Sequence, residues 1–330
     1  MNGAGQTLLW QHTMRAIAGA FLLLASTMTL AREAAADVIR ISGSPADASL
    51  LQALQEGFQL RHPQVRFTQA LHGPESTLAG VYTGTADVAF MARELREPLE
   101  RMAFEWVLLD KPQYIAIAHA GIRAERLASQ LALFVHKDNP VQQLSLPQLE
   151  AIFGAEPRGD AVVLRQWGQV GLAQDWQQRA IHVHGPKVDT IQALYFRRHV
   201  MGDSRKWNPA YREAGSEGAA VVAAIAADPA AIGYAPIGLA TAQVRAIPIA
   251  ATDAGPFVVP DARSIGEGQY PLIRSIGVVT PHTDKQPIGA TVRAFITFLL
   301  SPEGQAIIAR EGSYLPLHAE ALALQRKAMP

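Results

Sequence analysis

The stretch HVHGPKVDTIQALYF, residues 182–196, decides the fold class because it passes from a strand through a glycine-bearing loop into a helix. Its apolar spacing predicts a strand over 181–184 and a helix over 190–200. The first amides of such a helix point at whatever occupies the loop, and this arrangement suits an anion. The polar side chains that the loop offers are His184, Lys187, Asp189 and Thr190.

The same strand-loop-helix unit recurs in the N-terminal half of the chain. The predicted strands are VIRIS (38–42), VRFTQA (65–70) and DVAF (87–90). Ser44 or Asp47 can cap the helix that follows the first of them. Such units build an open parallel sheet whose binding groups lie at the carboxyl ends of the strands. Ser44, Ser76 and Thr77 are therefore expected at that edge.

The remainder of the chain continues the alternation of strands and helices. Further strands are predicted at 114–120, 131–137, 231–235 and 273–280, and further helices at 217–227, 287–300 and 303–311. The segment LSLPQLEAIF begins another helix, with Ser145 as its cap and Pro147 in its first turn. The whole pattern predicts an α/β protein.

The N-terminus has the layout of a secretory signal peptide. Arg15 precedes an uncharged run over 16–31, and Ala34 and Ala36 form a small-x-small pair before Asp37. A membrane anchor is the alternative, but the run is shorter than the roughly 20 apolar residues of a spanning helix. The chain contains no cysteine, so it cannot be a lipoprotein. We expect a Sec-type signal peptide over 1–36 and a soluble mature protein in the periplasm.

Composition narrows the function further. The 29 basic residues balance the 29 acidic residues, which gives no support to binding of nucleic acid or anionic membranes. The mature chain is too long for one compact core in most folds, so two lobes are expected. His182 and His184 share a strand face, but no third metal ligand stands at a recognisable spacing. No nucleophile elbow or catalytic triad stands out either, so we expect neither an enzyme nor a cofactor.

Several blocks of the sequence follow one another in a definite order. They are VHKDNPV with LSLPQLEAIFG, then AAIGYAPIG, then YPLIRSIGVVT, and finally FITFLLSPEGQAIIAREGSYLPL. Together they resemble the phosphate-binding periplasmic proteins of ABC importers over nearly the whole mature chain. The resemblance implies a monomeric, two-lobed, type II periplasmic-binding-protein-like fold with two hinge strands. By analogy, one lobe comprises 37–131 plus 276–330 and the other 136–271, with the hinge near Leu133 and Ile276.

The resemblance also implies ligand positions in the first lobe. After the first strand, Ser44 and the amide of Ala46 fall where the family touches its anion. Ser76 and Thr77 fall on a second such turn, although plain helix capping is an equal alternative. Arg93 follows the third strand, where it can bind the ligand or form an ion pair.

Two departures from the family bear on specificity. Ala92 stands where the best-known members carry the aspartate that accepts a proton from phosphate, so we expect a broader or different anion specificity. In the loop that follows the strand over 181–184, His184 stands where the family has an arginine. Of the family's ligand residues in this loop, only the threonine is retained, as Thr190. Lys187 can restore the positive charge. Asp189 is expected to act as the helix N-cap more than as a ligand.

Two functions remain open at this point. The first is a periplasmic solute-binding protein that captures an oxyanion, phosphate or a related small acid, and delivers it to an ABC permease. The second is a periplasmic sensing or protein-interaction module on the same fold, with a degenerate anion site. The sequence alone does not name the anion.

Overall fold

The strands of the protein form two main sheets, which the chain visits in turn. A computed structural model describes residues 37–122, 128–283 and 287–329. The strands are β1 Val38–Ser42, β2 Arg66–Ala70, β3 Val88–Met91, β4 Tyr114–His119, β5 Leu131–His136, β6 Leu144–Ser145, β7 His182–Gly185, β8 Arg212–Glu213, β9 Ala231–Pro236, β10 Val244–Ala246, β11 Ile249–Ala250, β12 Ser275–Val279 and β13 Leu315–Pro316.

The α-helices lie between these strands and after them. They are α1 Ala48–Gln59, α2 Thr77–Tyr82, α3 Leu99–Leu108, α4 Leu146–Phe153, α5 Ile191–Val200, α6 Gly218–Ala226, α7 Ala262–Gly266, α8 Ala290–Leu299, α9 Pro302–Glu311 and α10 Ala319–Lys327. Across the described segments, no helix has both the length and the apolar content that crossing a bilayer requires.

Both main sheets are mixed, whereas the sequence predicts an open parallel sheet. The six-stranded sheet has the order β13-β4-β12-β3-β1-β2, and the five-stranded sheet has the order β10-β5-β9-β7-β8. β1 is parallel to β2 and β3, and β7 is parallel to β8 and β9. β12 runs antiparallel to β3 and β4, because the chain re-enters the first sheet from the second. The α/β class is confirmed, and the parallel pattern survives around β1 and β7.

Each sheet has its own apolar core. In the six-stranded sheet, Phe58 of α1 packs edge-on against Phe295 of α8, with ring centroids 5.3 Å apart. In the five-stranded sheet, Phe196 of α5 stacks on Tyr234 of β9 at 3.9 Å. The fully buried Trp167 donates its indole N–H to the Ala230 carbonyl. Burial of large aromatic rings is a main source of core stability.

Two connections join the sheets, and the side chain of Gln130 links them. The chain passes from β4 to β5, and it returns to the six-stranded sheet at β12. The Gln130 amide donates to the Leu272 carbonyl, and its oxygen accepts from the Arg274 backbone N–H. Leu133 and Ile276, near which the hinge is predicted, lie within β5 and β12, close to these bonds.

Most predicted elements are confirmed within one or two residues. Ser145 caps α4 as predicted, by accepting from the Gln148 N–H, and the Gln148 side chain accepts from the Ser145 N–H to complete a capping box. Ser44 caps a short 3₁₀ turn over Pro45–Asp47, and Asp47 makes no cap bond to α1. The sequence analysis did not predict α3, α7 and α10. Leu99 and Trp106 of α3 are exposed, so their pattern does not mark a buried face.

Candidate anion-binding site

The loops after β1 and β2 meet at one edge of the six-stranded sheet. The Gly73 N–H donates to the Gly43 carbonyl at 3.1 Å, and Gly73 has a φ of 112° that favours glycine. Ser44 is buried, and its Oγ accepts from the Ala46 N–H at 3.3 Å. Two of the predicted ligand groups therefore bind each other, while the Ser44 hydroxyl hydrogen makes no bond to any described residue.

The hydroxyls of Ser76 and Thr77 are engaged within their own loop. Both donate to the Gly73 carbonyl, at 3.1 and 3.0 Å. Neither hydroxyl oxygen caps α2, so helix capping does not account for them. An anion needs donors, and these two hydroxyls must rotate away from Gly73 before they can serve one.

Arg93 is fully buried and forms its bonds inside the protein. Its guanidinium pairs with the carboxylate of Glu100 on α3, with Nη1 and Oε2 2.8 Å apart, and Nη2 donates to the Pro74 carbonyl at 2.6 Å. Of the two alternatives for Arg93, the structure shows an ion pair, and the pair is buried instead of superficial. Arg93 thus ties the β3 loop to the β2 loop and to α3.

A second buried ion pair lies beside the first. Glu94 follows Arg93 and accepts from Arg274 of the β12 connection at 2.8 Å. The buried Arg274 guanidinium also lies over the Tyr195 ring of α5, at 5.2 Å from its centroid. Sequence reasoning missed Glu94, Glu100 and Arg274. An arginine beside the apolar strand SIGVV was the available signal for Arg274.

A cleft between the two units is lined by Glu94 and Tyr114 on one side and by Tyr195 and His199 of α5 on the other. On the α5 side of this cleft, Thr190 is the N-cap of the helix. Its Oγ1 accepts from the Ala193 N–H at 3.3 Å and donates to the Lys187 carbonyl at 2.8 Å. The interpretation of Asp189 as the cap is therefore wrong. Thr190 has the extended backbone of a cap residue, and the helix begins one residue later than that interpretation required.

His184 does not supply positive charge to this loop. Val183 packs in the core with Phe196, so the alternation of the strand places His184 on the opposite face, with His182. His182 Nδ1 lies 2.6 Å from an Asp228 carboxylate oxygen. Burial, reinforced by the nearby Arg212 charge, lowers the pKa of His184 below its ordinary value. Within the described segments, no three potential metal ligands cluster here or elsewhere.

Lys187 is the available cation of the loop after β7. It is exposed and forms no ion pair with any residue that the structure describes. The adjacent backbone N–H of Val188 already donates a hydrogen bond to the Glu213 carboxylate, at 3.0 Å. Lys187 therefore remains the loop group best able to attract an oxyanion.

Replacing Thr190 by valine should lower the free energy of unfolding by about 1 kcal/mol, because the cap bond to α5 is lost. Asp189→Ala should change it by less than about 0.5 kcal/mol. Urea unfolding of the two variants measures both values. Equal losses, or a larger loss for Asp189→Ala, would restore the original capping interpretation.

Two α/β units joined by two connections form a two-lobed, periplasmic-binding-protein-like fold. Residues 30–303 match a family model described as a PBP superfamily domain, and the chain belongs to this superfamily. The fold class predicted from the sequence is confirmed, as is the resemblance to phosphate-binding proteins.

Two similar proteins match most of the chain. The chain is 29% identical to the phosphate-binding protein PstS of Pseudomonas aeruginosa over 281 residues, covering 84% of this chain and 82% of that one. It is 23% identical to the protein SphX of Synechococcus elongatus, covering 90% and 83%.

Two solved structures share the fold. An ABC-type phosphate transport receptor from Vibrio cholerae matches with a TM-score of 0.52 and 22% identity, over 84% of this chain and 99% of that one. PstS from Borrelia burgdorferi matches with a TM-score of 0.56 and 16% identity, over 86% and 100%. These names agree with the expectation of a binding protein that is not an enzyme.

Proposed function

We propose that the protein is a periplasmic solute-binding protein that captures an oxyanion and delivers it to an ABC permease. The relatives named for phosphate binding and phosphate transport support this function. The lobes would be 37–131 plus 276–330 and 136–271, hinged at the two connections joined through Gln130. A signal peptide over 1–36 would export the chain.

The observation that carries the proposal is the meeting of the β1 and β2 loops through the Gly43–Gly73 bond. The hydroxyls of Ser44, Ser76 and Thr77 follow the two strands whose loops this bond joins, and they would line one side of the site. Lys187 and the first amides of α5 would approach from the other lobe. A buried oxyanion needs several neutral donors or a compensating cation, and this arrangement would supply both once the Ser76 and Thr77 hydroxyls turn away from the Gly73 carbonyl.

Lys187→Ala should weaken anion binding about tenfold, because it removes a charged donor without disturbing a packed side chain. Isothermal titration of the mature chain with phosphate, sulfate and molybdate measures this loss. Lys206→Ala is the matched control, since Lys206 is also exposed but pairs with Glu156 at 2.5 Å. Equal affinities of the two variants would remove Lys187 from the site.

A degenerate site remains the second candidate function, and a specific observation favours it. Glu100 forms an ion pair with Arg93, and Glu94 forms one with Arg274. The Glu213 carboxylate accepts a hydrogen bond from the Val188 backbone N–H. The chain's own carboxylates thus occupy donors near the cleft. Under this alternative the protein senses or binds a protein partner, and none of the three anions would bind in the titration.

A further inference from the structure

We propose that a pocket between the β3 loop and the start of α5 binds an organic anion with one charged group and a flat apolar body. This inference goes beyond the proposed function, because none of Ser44, Ser76, Thr77 and Lys187 lines the pocket. The pocket has a volume of about 590 Å³ and takes its walls from both sides of the cleft. Sites for small organic molecules span roughly 300–1,000 Å³, so a bare oxyanion would leave most of this space empty.

The walls of the pocket are largely apolar. Leu99 and Val188 both line it and are 74% and 37% exposed. Leu194 and Trp207 complete this lining. Two aromatic rings restrict the Trp207 indole. The Tyr211 ring packs against it with a centroid distance of 4.7 Å, and the Phe196 ring stacks with it at 6.4 Å. A rigid indole beside uncovered aliphatic side chains favours a ligand with a planar apolar part.

The charges of the pocket select for an anionic head group. Arg197 is buried and paired with Asp203 at 2.6 Å, and Arg96 pairs with Glu75 at 2.8 Å. Glu97 is likewise engaged, by Arg101 and Arg198. Arg205 is exposed and has no ion-pair partner in the described segments. Its guanidinium can therefore bind a carboxylate or phosphoryl group in bidentate fashion.

Asp189 limits the ligand to a single anionic group. It is the lining acid that forms no ion pair within the described part of the chain. A second anionic group elsewhere on the ligand would meet this carboxylate, and like charges repel. The charged group of the ligand therefore lies toward Arg205, and its apolar body lies against Leu99 and Trp207.

Titration of the mature chain with phenyl phosphate, benzoate and inorganic phosphate tests the proposal. At least one aromatic anion should bind tenfold or more tightly than inorganic phosphate, and it should quench the fluorescence of Trp207. Comparison of phenyl phosphate with benzoate identifies the head group. Trp207→Phe should remove the quenching.

Matched variants locate the head group. Arg205→Gln should cancel the tenfold preference, whereas Arg310→Gln, at an exposed arginine on α9, should retain it. Asp189→Asn should tighten binding. The proposal would be wrong if Arg205→Gln and Arg310→Gln showed the same preference for an aromatic anion over inorganic phosphate. It would also be wrong if the unmodified protein showed no such preference.

The same titrations separate the pocket from the proposed function. If inorganic phosphate binds with its Lys187 dependence intact but no aromatic anion is preferred, the pocket fails and the proposed function stands. If no anion binds at all, both fail.

Discussion

Glu100→Ala should lower the free energy of unfolding by about 3–5 kcal/mol, the range for removing one partner of a buried ion pair. Arg93 is 0% exposed, and Glu100 contacts it with both carboxylate oxygens. The variant leaves the guanidinium charge buried beside the Pro74 and Glu94 carbonyls, which are dipoles and not counter-charges. Glu100 also accepts from the Arg96 N–H, so the loop that leads into α3 loses a second anchor.

Chemical denaturation with urea measures this loss. Glu75→Ala is the matched control, since Glu75 pairs with Arg96 but is 60% exposed. Exposed ion pairs contribute about 0–1 kcal/mol, so this control should remain near the wild-type value. A loss below about 1 kcal/mol for Glu100→Ala would show that water reaches Arg93 and that this arginine is available to a ligand.

Acidification should destabilise the protein through His119, by about 3 kcal/mol between pH 6.5 and pH 4. His119 Nε2 lies 3.0 Å from His318 Nδ1, a separation that accommodates one hydrogen. Burial, with a smaller contribution from His318, lowers the pKa of His119 from 6.5 to about 4. Within this window the unfolded chain binds a proton at His119 that the folded chain does not. The free energy of unfolding therefore falls as the pH falls from 6.5 toward 4.

The difference in stability between wild type and His119→Gln, followed against pH, isolates this contribution from the carboxylates that titrate in the same range. Wild type should lose stability relative to the variant as the pH falls. A flat difference for His119→Gln would mean that His119 is protonated in the folded protein at pH 5.

The local elements could be predicted from the sequence because each depends on neighbouring residues. Ser145 caps α4 as predicted, through a bond that spans only three positions. The helix over 217–227 appears as Gly218–Ala226, since its apolar spacing matches a buried face. α3 was not predicted because several of its apolar side chains are exposed. Their spacing along the sequence therefore does not mark a buried helix face.

The candidate site was predicted in part. Its loops lie at strand ends as expected, since the β-loop-α pattern dictates that placement. The state of the donors could not be predicted, because it depends on partners from other elements. From the sequence alone, Arg93 could have contacted a ligand. The position of α3 instead brings Glu100 into an ion pair with it. Thr190 and Asp189 were both suitable caps, and only the backbone conformation of Thr190 decided between them.

The sequence by itself determined the α/β class and most of the strands and helices, because these follow from periodicity and from local hydrogen bonding. The order of its sequence blocks carried the resemblance to phosphate-binding proteins. Only the tertiary structure decided which charges are compensated. Glu94 and Arg274 are 180 positions apart in sequence, yet they form a buried pair. Electrostatic pairing depends on distance in space and on exclusion of water, and a linear sequence specifies neither directly.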